Sequence, residues 1–436
     1  MRFRVLGKAS FGEIKDHTDS IQIYFSKNNF FSDKMGKEDT YNIFLKKLID
    51  IGDIIGVTGF LFKTKMNEIT IRANKLTLLS KSIRPLPQVK VDKKNKKIYD
   101  AFSNSEQRYR MRYVDLIVND HVKDIFLKRT HIIQEIRNFL NNKGYLEVDT
   151  PILQSIPGGA IARPFETFHN TLGIPLYLRI ANELYLKRLI IGGFHGVYEF
   201  SRNFRNEGMD RIHNPEFTVL EIYIAYKDYY WMMNFTEKLM KCICNKFKEN
   251  NCINFNTPFP RISILDSIKK YTGYDLEKIE EKELIKVCKK LNIYFTENGK
   301  INKAKLIENI FENKCEKNYI NPTFIIDHPI EISPLTKKHR NKKNLSERFE
   351  LIINGQEIAN SYSELNDPID QLNRFREQIK FKDESMLIDK DFIRALEFGM
   401  PPTAGIGIGI DRLIMLLTNK SSIQEVLFFP QMRPKK

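Results

Sequence analysis

Residues 404–415 read AGIGIGIDRLIM, a pattern that leaves the backbone few options. Strict alternation predicts a strand with Ile406, Ile408 and Ile410 on one face. Glycine weakens a strand, so Gly405, Gly407 and Gly409 imply that something approaches the backbone closely on the other face. After Asp411 the apolar run predicts a helix with Arg412 in its first turn, where helix terminus and guanidinium both favour an anion. A glycine-packed core strand followed by a surface arginine satisfies the same letters. The rest of the chain has to decide.

At 436 residues the chain has room for two or three domains, each with its own core. A net charge of +16 points toward an anionic partner such as nucleic acid. The chain is rich in Lys, Asn and Ile throughout, so base composition accounts for part of that charge. Five cysteines (Cys242, Cys244, Cys252, Cys288, Cys315) contain no CxxC pair, which argues against a disulfide framework or a zinc ribbon. The opening MRFRVLGK is not an apolar leader, and no run approaches the roughly 18 apolar residues of a membrane span. The expectation is a soluble, cytoplasmic protein.

Residues 1–88 contain short strand-like runs (MRFRVLGK, SIQIYFSK, DIIGVTGFLFKTK, EITIRANKLTLL) around one helical stretch, YNIFLKKLI. Four or five strands and one helix in that length predict a small barrel of the OB type. Residues 89–112, with a lysine cluster, read as a linker, and 113–436 as a larger domain. Amphipathic helices between about 230 and 320 carry no evident chemistry and read as an inserted helical region.

Two segments carry chemistry. In residues 197–226, Glu199, Ser201, Asn203 and Arg205 share one strand face, and Phe217, Glu221 and Tyr223 share another. Charged side chains facing inward are costly unless paired, so a pair of polar-faced strands is poorly explained by packing alone. A surface hairpin is the alternative. In RFELIINGQEIANSYSEL, residues 348–365, Asn354-Gly355 predicts a two-residue type I′ turn. That register sets Ile352 opposite Glu357 and Glu350 opposite Ala359, which makes Glu350 and Glu357 diagonal neighbours with Cβ atoms about 7 Å apart or less. Two such carboxylates call for a cation, and hard oxygen ligands suit Mg²⁺; solvated edge glutamates are the alternative. Asn360, Tyr362 and Glu364 share a parity that Glu357 does not, so one common site requires a bulge or bend. No GxxxxGK[ST], GxGxxG or HExxH occurs, which leaves arginines and metal to hold any phosphates.

At this point the residues resemble a family. FRNEG followed by HNPEFT resembles the second signature of class II aminoacyl-tRNA synthetases, GIGIGIDR the third, and the helix and strand ending at Pro151 the first. IPGGAIARPF, ANELYLKRL, PTFIIDHPIEISPL, YSELNDP and GMPPTAGIGIGIDR together are similar to the bacterial-type lysyl-tRNA synthetases. The likeness covers nearly the whole chain and implies an α+β protein: an OB-type barrel followed by a class II domain, an antiparallel sheet flanked by helices.

By that resemblance Arg205 would bridge the α-phosphate of ATP and the lysine carboxylate, and Arg412 would meet the γ-phosphate. His213 would contact the phosphates, Phe217 would stack on adenine, and Glu207 belongs to the same ATP-binding set. Glu350 and Glu357 would hold Mg²⁺. Glu183 and the backbone of Gly159 would receive the α-ammonium, and Glu364 and Tyr223 the ε-ammonium, with Asn360 and Tyr362 lining the pocket. Arg4, Phe11 and Gln22 match positions that read the central anticodon uridine. The glycines of 405–409 would let ATP lie against the strand. The resemblance also implies tRNA(Lys) as partner and a homodimer.

The chain departs from the family pattern where Met1 falls inside the usual first barrel strand, with the usual N-terminal helix not preceding it. Ile212 stands where some relatives have arginine, and Ala359 and Ser361 where close relatives often have glycine. Three rival readings compete. Aspartyl- and asparaginyl-tRNA synthetases share the plan. An enzyme of this fold that lysylates a protein is disfavoured by the barrel. A catalytically inactive RNA-binding module is disfavoured because every motif arginine and carboxylate is in place.

Overall fold

The computed structural model describes all residues except 1–2, 29–39, 88–89, 92–97, 100–101, 161, 248–252, 294–301, 382–387 and 435–436. Cys252 and much of the segment read as a linker lie outside the described residues. Contacts gather into two compact units, Met1–Asp120 and His121–Lys436.

In the first unit, β1 (Phe3–Leu6), β2 (Ala9–Lys15), β3 (Ser20–Ser26), β4 (Ile54–Lys63) and β5 (Ile69–Ser80) form one sheet in the order β1-β2-β3-β5-β4. The β3–β5 pairing is parallel and the others antiparallel, which is the OB arrangement. A wide helical segment, Thr40–Leu48, connects β3 to β4. Its Tyr41 and Leu45 pack with Ile23, Phe25, Ala73 and Leu76, and the Tyr41 hydroxyl meets Ser10 Oγ at 2.8 Å. The segment read as a linker ends in helix: Ser105–Arg110 is capped by the Asn104 side chain on Gln107 N. A second short helix, Arg112–Val118, follows, and buried Asp115 takes both Arg108 and Arg112.

The second unit is built on an eight-stranded sheet. Its strands are β6 (Leu146–Glu147), β7 (Gly196–Phe204), β8 (Glu216–Ala225), β9 (Arg261–Ser263), β10 (Thr323–Ile326), β11 (Arg348–Ile353), β12 (Gln356–Ser363) and β13 (Thr403–Gly409). Their order is β9-β10-β11-β12-β13-β8-β7-β6. The six central strands are antiparallel, and the two edge pairs, β9–β10 and β7–β6, are parallel. The helices include α1 (Asp120–Asn141), α2 (Glu183–Ile191), α3 (Tyr229–Phe247), α4 (Ile264–Thr272), α5 (Glu281–Lys290), α6 (Lys303–Lys314), α7 (Lys390–Glu397) and α8 (Ile410–Leu417); Pro368–Phe381 and Ile423–Val426 are also helical.

The isoleucine face of β13 packs with Leu220, Ile222 and Ile224 of β8 into the principal core, covered by apolar stripes of α1, α3 and α8. Each fully buried aliphatic side chain contributes roughly 1.5–3 kcal/mol. Helix α3 therefore belongs to the sheet's own core, not to an insertion. The helices that do build a separate core are α4, α5 and α6, through Ile268, Leu284, Ile307 and Phe311. With one face of the sheet committed to α1, α3 and α8, the polar side chains of β7, β8, β11 and β12 are displayed together on the other, where α4, α5 and α6 also pack against Ile325 of β10 and Ile352 of β11.

Candidate active site and family

The hairpin of β11 and β12 turns at Asn354 (φ 54°) and Gly355 (φ 68°), the type I′ geometry that the Asn-Gly pair predicts. Ile353 pairs with Gln356 and Ile352 with Glu357, but Leu351 then pairs with Ala359, leaving Ile358 as an extra residue. Glu350 consequently stands opposite Asn360, not opposite Ala359 as the uninterrupted register required. This bulge resolves the parity conflict. Asn360 Nδ2 lies 3.4 Å from both Glu350 Oε1 and Glu357 Oε1, so its amide spans the two carboxylates. Arg348 donates to Glu350 Oε1 at 2.6 Å and to Asn360 Oδ1 at 3.1 Å. Burial pushes the Glu350 carboxyl up to about 8 against the pull of Arg348, and Glu357 adds to the rise.

Arg412 stands in the first turn of α8 as expected. Its Nη1 donates to the Glu357 carbonyl at 2.8 Å and lies 3.3 Å from Glu357 Oε2, while Nη2 lies 3.2 Å from His213 Nε2. Asp411 accepts from Thr218 N at 2.8 Å and pairs with Arg129 of α1 at 2.6 Å, which ties three distant segments at the start of α8. Arg205 leaves the end of β7 with its guanidinium 5.0 Å over the Phe217 ring. Burial lowers its pKa, with Glu357 and Glu207 acting the other way.

At the other end of the site, α2 presents Glu183 and Lys187 one turn apart, with Nζ 2.6 Å from Glu183 Oε1. Tyr362 Oη donates to the same oxygen at 2.6 Å. Gly159, at φ +85°, lies so close that an added Cβ would be 3.2 Å from Glu183 Cβ. Tyr223 Oη donates to Glu221 Oε2 at 3.2 Å. Glu364 is buried, paired through one oxygen with Lys187, and its Oε1 has no hydrogen-bond partner.

A cleft of about 1690 Å³ is lined by Gly159, Glu183, Arg205, Glu207, His213, Phe217, Glu221, Glu350, Glu357, Asn360 and Arg412. Tyr223 and Glu364 are not in that lining; they are buried beneath it, and Tyr362 faces a smaller cavity of about 290 Å³. The glycine face of β13 accommodates this buried layer. A Cβ on Gly405 would lie 2.1 Å from Glu364 Oε1 and 2.5 Å from Tyr223 Cε1, and one on Gly407 2.8 Å from Glu221 Oε1. What approaches the strand at these two positions is the chain's own carboxylates and phenol, where the sequence reading put ATP.

In the first unit, Arg4 pairs with Phe11 across β1 and β2, and Phe11 with Tyr24 across β2 and β3. The Phe11 and Tyr24 rings are 5.1 Å apart and Tyr24 and Phe62 5.9 Å, while Arg72 lies 5.6 Å over Phe60. Gln22 is held by Glu68 at 3.0 Å and Thr70 at 2.8 Å. Phe11 is half-buried and does not belong to the barrel core.

Residues 104–433 match the family described as tRNA synthetases class II (D, K and N), and residues 1–79 match the OB-fold nucleic acid binding domain. The chain is 58% identical over its whole length to the lysine–tRNA ligase of Porphyromonas gingivalis, covering 76% of that protein. It is 57% identical to the lysine–tRNA ligase of Azobacteroides pseudotrichonymphae and 56% to that of Christiangramia forsetii, covering 88% and 78% of them. The chain belongs to the lysine–tRNA ligase family of class II synthetases.

Within a lysine–tRNA ligase frame, several site residues escape a sequence reading. Glu221 shares a face with Phe217 and Tyr223, a signal visible in the strand pattern. Lys187 stands four residues after Glu183 in ANELYLKRL, but only the fold shows its ammonium turned inward. Glu308 and Glu312 of α6 and Glu316 just beyond it line the cleft, although their i, i+4, i+8 spacing reads as an ordinary solvated helix face. Burial and Glu357 push the Glu316 carboxyl up to about 7. Among the described residues no group of three or more His, Cys, Asp or Glu side chains is arranged to hold a metal. Mg²⁺ asks less of the protein: one or two carboxylates with substrate phosphates suffice. Glu350 and Glu357 fit that requirement: burial first, and the neighbouring Glu357 in addition, raise the Glu350 carboxyl, and a cation beside the pair would favour its charged form. No described helix is long and apolar enough to cross a membrane.

Proposed function

We propose that the chain activates L-lysine with ATP and transfers the lysyl group to the 3′ end of tRNA(Lys). The observation that carries this reading is the meeting, in one cleft, of Arg205, Arg412, Glu350 and Glu357 with Glu183 and Glu221. The first four suit a triphosphate and its metal; the last two suit ammonium groups. In the first step the lysine carboxylate, ionised at neutral pH, attacks the α-phosphorus and pyrophosphate leaves, so no general base is needed. Arg205 orients the carboxylate against the α-phosphate, with Phe217 beneath it for the adenine. Arg412 and His213 take the outer phosphates, and Glu207 closes the rim. Mg²⁺ held by Glu350 and Glu357 supplies further neutralisation of phosphate charge. Catalysis on these terms is positioning and electrostatic stabilisation. The tRNA 3′-terminal hydroxyl then attacks the adenylate.

Lysine is selected because only a cation neutralises a buried carboxylate's charge; leaving one unpaired costs about 3–5 kcal/mol. Gly159, Asn360, Tyr223, Tyr362 and Glu364 complete that pocket. The outer face of the barrel, with Arg4, Phe11, Gln22 and Tyr24, fits an unstacked anticodon base. The working unit in this reading is a homodimer in the cytoplasm, and sedimentation of the purified chain checks its size. Amino-acid-dependent ATP–pyrophosphate exchange with all twenty amino acids tests the whole reading. Lysine should drive exchange, and aspartate and asparagine should not; exchange driven by either of those, or silence with all twenty, refutes it.

A further inference from the structure

The floor of the amino-acid pocket holds more charge than one substrate group explains. Three carboxylates, Glu183, Glu221 and Glu364, converge from α2, β8 and the end of β12. One ammonium from the chain is set among them. Lys187 is completely buried, 2.6 Å from Glu183 Oε1 and in direct contact with Glu364 Oε2. Its Nζ is 5.6 Å from the Tyr362 ring centroid and 6.0 Å from that of Phe392 on α7, an aromatic enclosure that favours a desolvated cation. The other groups facing this floor are the phenols of Tyr223 and Tyr362 and the guanidinium of Arg205 at the cleft side. Arg188, the next residue along α2, turns to Asp389 at 2.8 Å and takes no part.

We infer that Lys187 is a resident counter-ion that sets the pocket's charge to match a diamino acid. With all three carboxylates ionised, the state that bound ammonium groups favour, one resident ammonium leaves two negative charges to match, the number of ammonium groups that lysine carries. An amino acid with a single ammonium leaves one buried carboxylate uncompensated, so the count itself acts against it. Lys187 is a positioning residue here: it touches Glu183 and Glu364, which in the pocket reading receive the substrate's ammonium groups. The inference rests on the lysine-pocket reading given above and adds a role for a side chain that reading does not use.

The same balance governs protons. Burial pushes the Glu221 carboxyl up to about 8, with Glu183 adding to it, and holds Glu364 well above the carboxylate range despite Lys187. Burial acts to pull Lys187 down, but Glu183 and Glu364 keep its pKa raised. Removing the Lys187 charge raises the Glu221 and Glu364 carboxyls further, so the empty pocket holds its protons more firmly and arriving lysine must displace them.

The near-isosteric variant Lys187→Met tests this. Calorimetric titration with L-lysine, in two buffers of different ionisation enthalpy at pH 7.5, counts the protons released. The variant should release more protons per lysine bound than the wild type. Its KM for lysine should rise about ten-fold or more while the KM for ATP stays within about two-fold. An unchanged proton count and lysine KM in a folded variant overturns the inference. If Lys187→Met does not fold, Lys187→Met combined with Glu364→Gln removes both charges and should recover much of the lost Tm. A double variant no more stable than the single one overturns the inference too. Wild-type protein that does not bind lysine overturns the pocket reading and this inference together, whereas wild-type binding beside an unaltered variant overturns the inference alone.

Discussion

Arg412 illustrates how one side chain draws its meaning from three partners. Its guanidinium contacts the Glu357 carbonyl, the Glu357 carboxylate and His213, and Asp411 beside it is clamped by Thr218 N and Arg129. The clamp fixes the first turn of α8, so in the proposed reading the guanidinium would meet a phosphate without first being ordered. Charge-assisted hydrogen bonds of this kind contribute about 1.5–3 kcal/mol. Arg412→Ala should therefore raise the KM for ATP about ten-fold or more and leave the KM for lysine nearly unchanged. Initial-rate pyrophosphate exchange with each substrate varied in turn checks this, and an unaltered ATP dependence would return Arg412 to a structural role. Gly405 is the complementary case, a residue whose value is its missing Cβ, since Glu364 and Tyr223 occupy that space.

At the scale of elements, the hairpin of β11 and β12 does most to bring Glu350, Glu357 and Asn360, the proposed metal end of the site, together. Its turn was readable from Asn354-Gly355, because two consecutive positive φ values select those residues. The bulge at Ile358 was readable only as a requirement, from the parity clash between Glu357 and Asn360. Its position follows from cross-strand packing, where Ile358 enters the core with Leu351 and Ile353. Gly355→Ala places a side chain at φ +68° and a Cβ 3.0 Å from Lys317 Cα. Strain of this sort costs about 1–3 kcal/mol. Urea unfolding should show that loss, and activity should need more Mg²⁺ for half-saturation as Glu350 and Glu357 lose their register. Unchanged stability and unchanged Mg²⁺ dependence would mean that the turn does not set the spacing of the pair.

For the molecule as a whole, the proposed reading divides tRNA recognition and chemistry between the two units, so a lesion in one should spare the other. Phe11→Ala removes a ring from the outer barrel face, where stacking on a base is worth about 1–3 kcal/mol. The KM for tRNA should rise about ten-fold, while lysine-dependent pyrophosphate exchange and Tm remain near wild type. Both half-reactions falling together with Tm would show Phe11 to be a barrel-support residue. The sequence by itself determined the OB-type strand pattern, the polar-faced strands β7 and β8, the type I′ turn and the strand-to-helix step at Arg412. Each of these depends on residues near one another in the chain, where period, turn chemistry and φ preference act locally. Only the tertiary structure decided that α3 belongs to the sheet core, that α6 brings its glutamates to the cleft, and that Lys187 turns inward to Glu364. An amphipathic stripe states that a helix has an apolar face but not what that face will meet. The burial of a lysine likewise depends on carboxylates and aromatic rings supplied by distant strands and helices, which no local pattern can specify.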